Sequence, residues 1–317
     1  MDPLSDILSI LKVESMLSAR LEAHGPWAFR YPEYRHMKFG GLAEGERWVW
    51  VEGGAPVRMK AGDFYLLTDG RPYCIASDLG ASLVDGVAAL ASVRVPAGVM
   101  RYGEGEPRSV AAAGRFTFVA DEMAALVRFL PPLIHIRADH LDHADLANLL
   151  ALIIAETERD APGTSVAASN LASLVLVQII RAHLATGEHS PSWLAATVDP
   201  NVGPALALMH EHVAHGWTVE GLAAEIGMSR TAFAQRFRET VGTPPLAYLL
   251  QWRMTLAKAA LRSGERNMAD LAERLGYSSS TAFSIAFKRE TGTSPGRFRS
   301  DGQSREKTSS GSKPSTD

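Results

Sequence analysis

Thr231, Gln235 and Arg238 are spaced four and three residues apart, and Thr281, Ile285 and Lys288 repeat that spacing fifty residues later. At about 100° per residue of α-helix, each trio falls on one face. The opposite face carries Phe233 and Phe237 in the first segment and Phe283 and Phe287 in the second. A helix buried along an aromatic stripe, with hydrogen-bonding side chains on its other side, suits the base edges of a major groove. In that setting Gln pairs with adenine, Arg with guanine, and an aliphatic side chain such as Ile285 meets a thymine methyl. Arg230, Arg236 and Arg289 add cations for phosphate, and Ser280 and Ser284 add hydroxyls on the flanks.

Other chemistries leave weaker marks. No Ser-His-Asp elbow, phosphate loop or nucleotide fingerprint is present, so no catalytic residue and no cofactor are assigned. "HIRADHLDH" brings His135, His140 and His143 near Asp139 and Asp142. A metal site there competes with a simpler reading, a loop whose His and Asp cap the next helix. His210, His212 and His215 do not share a helix face. Cys74 is the single cysteine, which excludes an internal disulfide and leaves no second thiol to resolve a sulfenic acid. It reads as a buried structural thiol.

The reading helices need elements to hold them. In the first copy Thr218 caps a helix that Gly227 ends, and Ser229 caps the next. In the second, Asn267 with Asp270 resembles a capping box, Gly276 closes the helix, and a serine run starts the next. Helix, short turn with Gly, helix is the helix-turn-helix pattern. The copies are offset by 49 residues at the glycines and 50 at the phenylalanines, so the extra residue lengthens the second inter-helix turn. Between them Pro245 suits a helix start and Gly264 its end, with Leu246, Leu249, Leu256 and Leu261 as apolar positions. One rigid helix joining two such units places them on successive major-groove segments roughly 34 Å apart.

Upstream, residues 27–120 read as short strands punctuated by Gly, Pro and Asp, which predicts a sandwich or small barrel. Trp48 and Trp50 alternate with Val49 and Val51, and with Phe64 and Tyr65 they are the candidate lining of a small-molecule pocket; plain core is the competing reading. Helices are predicted over 142–159 and 166–186. The second is apolar nearly all round, which points to burial on several sides, either between its partner helix and the barrel or by a second subunit at a dimer contact through Leu174 and Ile180. The expected organisation is therefore a domain over 1–187, a linker over 188–203, a two-unit helical domain over 204–300 and a disordered tail over 301–317.

Charge divides the same way. Residues 201–300 hold twelve Lys and Arg against eight Asp and Glu, a net of +4, whereas residues 1–200 hold 17 against 24, a net of −7. A basic module on an acidic partner fits nucleic-acid binding. No apolar run reaches the ~18 residues of a membrane helix. The acidic start has no basic n-region, and with one cysteine the expected compartment is the cytoplasm.

These residues carry a resemblance. "WTVEGLAAEIGMSRTAFAQRFRETVGTPPLAYLLQWRM" followed by "MADLAERLGYSSSTAFSIAFKRETGTSPGRFR" resembles the DNA-binding domain of AraC/XylS-type transcriptional regulators. "GDFYLLTDGRPY", "PPLIHIR" and "DPNVGPALALMH" are similar to the cupin-like branch of that family. The resemblance implies a transcription regulator, an activator responsive to an effector, with an N-terminal cupin-like sensing and dimerising domain. Its partners would be promoter DNA, RNA polymerase, a small-molecule effector and a second copy of the chain, with no membrane. The chain departs from the family at Gln235 and Ile285, where basic residues are usual, so its preferred site should differ. It also lacks the His-x-His of metal-binding cupins, having "KFGGLAEGERW" there and Tyr73 after Pro72, so no metal centre is expected. A cupin enzyme with a helical appendage and an architectural DNA protein are the competing classes.

Overall fold

The computed structural model describes residues 3–10, 14–91, 99–118, 130–139, 144–159, 161–187 and 191–301. His140, His143, linker residues 188–190 and the tail from 302 onward lie outside them. By packing, the chain divides into Leu11–His189 and a second unit of Met1–Ile10 with Ser190–Asp317. Helix α1 (Pro3–Ile10) thus belongs with the C-terminal helices, although sequence pattern assigns it to the first domain. Leu4 is buried there, and Asp6 Oδ2 lies 3.3 Å from His210 Nδ1.

The unit Leu11–His189 is built from β1 (Glu14–His24), β2 (Ala28–Tyr31), β3 (Met37–Glu44), β4 (Glu46–Val51), β5 (Val57–Lys60) and β6 (Phe64–Leu67). After them come β7 (Tyr73–Ala76), β8 (Leu83–Asp85), the short helix α2 (Gly86–Ala91), β9 (Val99–Tyr102), β10 (Arg108–Thr117) and β11 (Leu133–Ile136). One sheet has the order β11-β6-β3-β10-β1-β9 and the other β5-β4-β7-β2-β8. Pairing is antiparallel except for β1 with β9 and β2 with β8. Phe29, Leu42, Val49, Met59, Tyr65 and Leu67 fill the core. This is the expected cupin-type β fold.

The pleat of β4 decides what faces that core. Arg47, Val49 and Val51 are buried, while Trp48 and Trp50 point to the other face and are half-buried. On β3, Gly40 is required by close approach: a Cβ there would stand 2.5 Å from the Tyr65 ring.

Helices α3 (Ala144–Glu158) and α4 (Thr164–Ala185) pack on each other and on the first sheet. By length and composition α4 would pass for a membrane span, yet Val175, Leu176, Ile179 and Ile180 are buried within its own unit. Eight of its 22 residues, these four among them, are thereby used as core. Ile180 is fully buried, so it cannot belong to a subunit interface as expected, whereas Leu174 and Val166 remain exposed.

In the C-terminal unit, α5 (Trp193–Ala196) and α6 (Gly203–Glu211) lead into α7 (Val219–Glu225), α8 (Arg230–Val241), α9 (Pro245–Arg262), α10 (Met268–Arg274) and α11 (Ser280–Thr291). The two helix-turn-helix units are α7–α8 and α10–α11. Their turns span 226–229 and 275–279, which locates the extra residue where the offset predicted.

Candidate nucleic-acid interface

Local chemistry sets both reading helices. Thr218 Oγ1 accepts from Gly221 N at 2.9 Å and Ser229 Oγ accepts from Ala232 N at 3.3 Å, so each helix of the first unit starts on a side-chain cap. In the second, Asn267 Oδ1 accepts from Ala269 N and Asp270 N at 3.1 and 3.3 Å, and Ser279 Oγ accepts from Ala282 N at 3.1 Å. Both α8 and α11 end on a left-handed glycine, Gly242 and Gly292. Phe233, Phe237, Phe283 and Phe287 are all fully buried, which fixes the rotation of each helix about its axis.

That rotation leaves the expected trios outside. Thr231, Gln235 and Arg238 are exposed on α8, and Thr281, Ile285 and Lys288 on α11. Ile285 is 66% exposed, a large apolar side chain held in water at the centre of the reading face. Arg230, Thr231, Gln235 and Arg238 line one open groove, whereas Arg236 stands outside it. Ser280 and Ser284 are half-buried beside Thr281, and Arg289 is exposed with its Nε donating to Glu290 at 3.0 Å.

Several contacts that sequence reading missed hold this surface. Arg236, expected among the phosphate contacts, donates to Asp199 Oδ2 at 2.8 Å. Burial alone would raise the Asp199 carboxyl, but the Val202 and Asn201 amides and Arg236 together hold it below its ordinary range. Arg253 on α9 donates to the Val213 carbonyl at 2.8 Å and the His215 carbonyl at 2.9 Å, tying the linker helix to the segment after α6. His210 is stacked on Trp252 at 4.1 Å and lies 2.7 Å from the Tyr248 hydroxyl. "DPNVGP" gave a turn signal for Asp199; the partner 37 residues away left none.

In the N-terminal unit a cavity of about 560 Å³ opens between the sheets. Of the four residues expected to line a pocket, Tyr65 does so, and Trp48, Trp50 and Phe64 are not among its walls. Among the described residues no group of three His, Cys, Asp or Glu is placed to hold a metal ion. His135 Nε2 instead sits 2.9 Å from Asp63 Oδ2, and Asp63 also accepts from Lys60 N and Ala138 N. Cys74 is buried on β7, and burial pushes its thiol up.

A Cupin family model matches residues 2–185 and a Helix-turn-helix domain model matches 222–301. A putative AraC-like transcription regulator of Streptomyces lividans is 39% identical over 302 residues, spanning 94% of this chain and 98% of its own length. The chain belongs to the AraC family of transcription regulators. The HTH-type transcriptional regulator AlkR of Acinetobacter baylyi is 29% identical over 94% of this chain and 99% of its own. Among solved structures, the DNA-binding domain of AdpA in complex with a target DNA is 32% identical, covering 34% of this chain and 96% of that one, with a TM-score of 0.32. This AraC-type regulator binds DNA and is not an enzyme. The cupin-enzyme alternative is set aside with it.

Proposed function

We propose that this regulator is a sequence-specific activator that reads two half-sites on one face of promoter DNA. Helices α8 and α11 enter successive major grooves roughly 34 Å apart, with Gln235 and Arg238 reading one and Ile285 and Lys288 the other. The observation that carries this is the repeated arrangement of an exposed reading trio over a fully buried phenylalanine pair. The acidic N-terminal unit binds a small-molecule effector in its cavity, and the chain acts in the cytoplasm as a homodimer that engages RNA polymerase. A randomised-site selection followed by footprinting tests the reading. Two specified half-sites one helical turn apart are expected, and a single half-site or sequence-independent protection would sink it.

For the dimer, the exposed stripe of α4 supports the contact. Val166 and Leu174, 65% and 43% exposed, lie eight residues apart on one helical face. Val166→Glu with Leu174→Glu should give a folded monomer by light scattering, and a dimer that persists would place the interface elsewhere.

A further inference from the structure

The cavity between the sheets is lined by three cations and, among the described residues, by no carboxylate. Arg47 is 3% exposed; its Nη2 donates to Ser109 Oγ at 3.2 Å, its guanidinium lies 5.5 Å from the Trp27 ring centroid, and its Nε has no partner. Arg115 likewise has a buried Nε without a partner. Lys38 Nζ donates to the Tyr73 hydroxyl at 3.2 Å and sits 5.1 to 5.6 Å from the rings of Tyr31, Tyr34 and Tyr73.

No ionised group in the wall neutralises them. Burial, with Tyr65 and Tyr31 opposing it, lowers Arg47 only to about 10, and burial lowers Lys38, with Arg115 adding to the effect. Burial pushes Tyr65 up to about 12 and raises Tyr31 and Tyr73, so the phenols stay neutral. His36, driven down to about 4 by burial and by Lys38 and Arg115, is neutral too. An unpaired buried guanidinium is costly, and an anion that pairs with it recovers that cost. The remaining wall is aliphatic: Leu21, Ile75, Leu90 and Met100.

We infer that this cavity binds an organic monoanion, a carboxylate joined to a compact apolar body, with Arg47 gripping the carboxylate and Lys38 and Arg115, further along the cavity, adding charge. Guanidinium matches carboxylate geometry bidentately, and a volume of about 560 Å³ accommodates a small-molecule body. The inference rests on the effector reading above only for its consequence at DNA.

Direct calorimetry on the full chain without DNA tests it, using 1-naphthoate, 1-naphthamide and 1-naphthyl phosphate. Naphthoate should bind at least tenfold more tightly than the amide and the phosphate ester. Arg47→Met should lose at least tenfold in naphthoate affinity while melting no lower than the wild type, because it removes an unpaired buried charge. If Arg47→Met does not fold, Arg47→Lys, which keeps the charge and removes the fork, carries the same expected loss. Equal binding of the amide, tighter binding of the phosphate ester, no binding of naphthoate, or unchanged affinity in the folded variants would overturn the assignment. Naphthoate binding with no change in operator affinity would leave the anion site standing and remove the effector reading.

Discussion

Phe233 and Phe237 in the first helix-turn-helix unit, and Phe283 and Phe287 in the second, are equally buried at equal spacing. Outside them the units part company. Where α8 shows Gln235 and Arg238, α11 shows Ile285 and Lys288, and where Arg236 is paired to Asp199, its counterpart Ala286 is half-buried and bonds to nothing through its side chain. The phenylalanines that fold the unit are repeated, whereas in the reading trio only the threonine is. Duplication with an unchanged core and a changed reading face lets one chain specify two dissimilar half-sites.

The core half of the comparison breaks hardest. Phe237→Ala and Phe287→Ala should each cost about 3–5 kcal/mol in chemical unfolding of the C-terminal unit. Phe237 leans on Tyr248 (6.0 Å between ring centroids) and Phe287 on Phe298 (5.5 Å), so the two losses should be alike. A loss below ~1 kcal/mol at either site would mean that its unit is not closed around that ring.

The glycines sharpen the comparison. Gly227 and Gly276 occupy equivalent turn positions with φ of +68° and +76°. Gly227 has open space where a Cβ would go, so Gly227→Ala should cost only the left-handed strain of about 1–2 kcal/mol. At Gly276 the Cβ would stand 2.4 Å from the Ala214 carbonyl oxygen and 2.8 Å from Arg253 Nη2. Gly276→Ala should therefore cost about 1–3 kcal/mol more by dislodging Arg253 from its two carbonyls. Equal melting temperatures for the two variants would show that the second turn is not held by this contact.

What could be read in advance follows from the range of each interaction. Caps and turns are decided within four residues, so Thr218, Ser229, Asn267 and Gly227 announced themselves. The packing of α1 beside His210 depends on residues about two hundred apart, and nothing in "PLSDILSI" names that partner. Strand β4 shows a different failure. Alternation divides "RWVWV" into two faces but cannot say which is inside, and tryptophan suggested the wrong one. The core side holds Arg47, a buried cation in the wall of the cavity.

Asp199 tests the asymmetry through pH and salt. Its carboxyl is held below the ordinary value of 3.8, so its stabilisation is fully present above that value and is lost as pH falls through the depressed folded value. Asp199→Asn should cost about 1–3 kcal/mol at pH 7 and flatten the acid limb of the unfolding profile. It also frees Arg236 for phosphate, so the salt dependence of DNA binding should steepen by about 0.9 in log–log slope. An unchanged acid limb would mean that Asp199 does not brace α8, and an unchanged salt slope would leave Arg236 away from phosphate in both states.

The smallest effect is the most diagnostic, because it concerns reading rather than folding. Gln235 Nε2 already donates to Glu239 Oε1 at 3.0 Å, so pairing with adenine exchanges one hydrogen bond for others. Gln235→Ala should therefore cost about 1 kcal/mol, the low end for a bidentate base contact, and relax preference at one half-site alone. Ile285 gives up no such bond. Ile285→Arg exchanges contact with a thymine methyl for a guanidinium fork, moving preference from thymine toward guanine at the second half-site and leaving the first unchanged. Randomised-site selection on the wild type and both variants measures this. If either substitution weakened all sequences alike, its side chain would lie against phosphate or support the fold, and the reading face would have to be rotated away from the one opposite the phenylalanines.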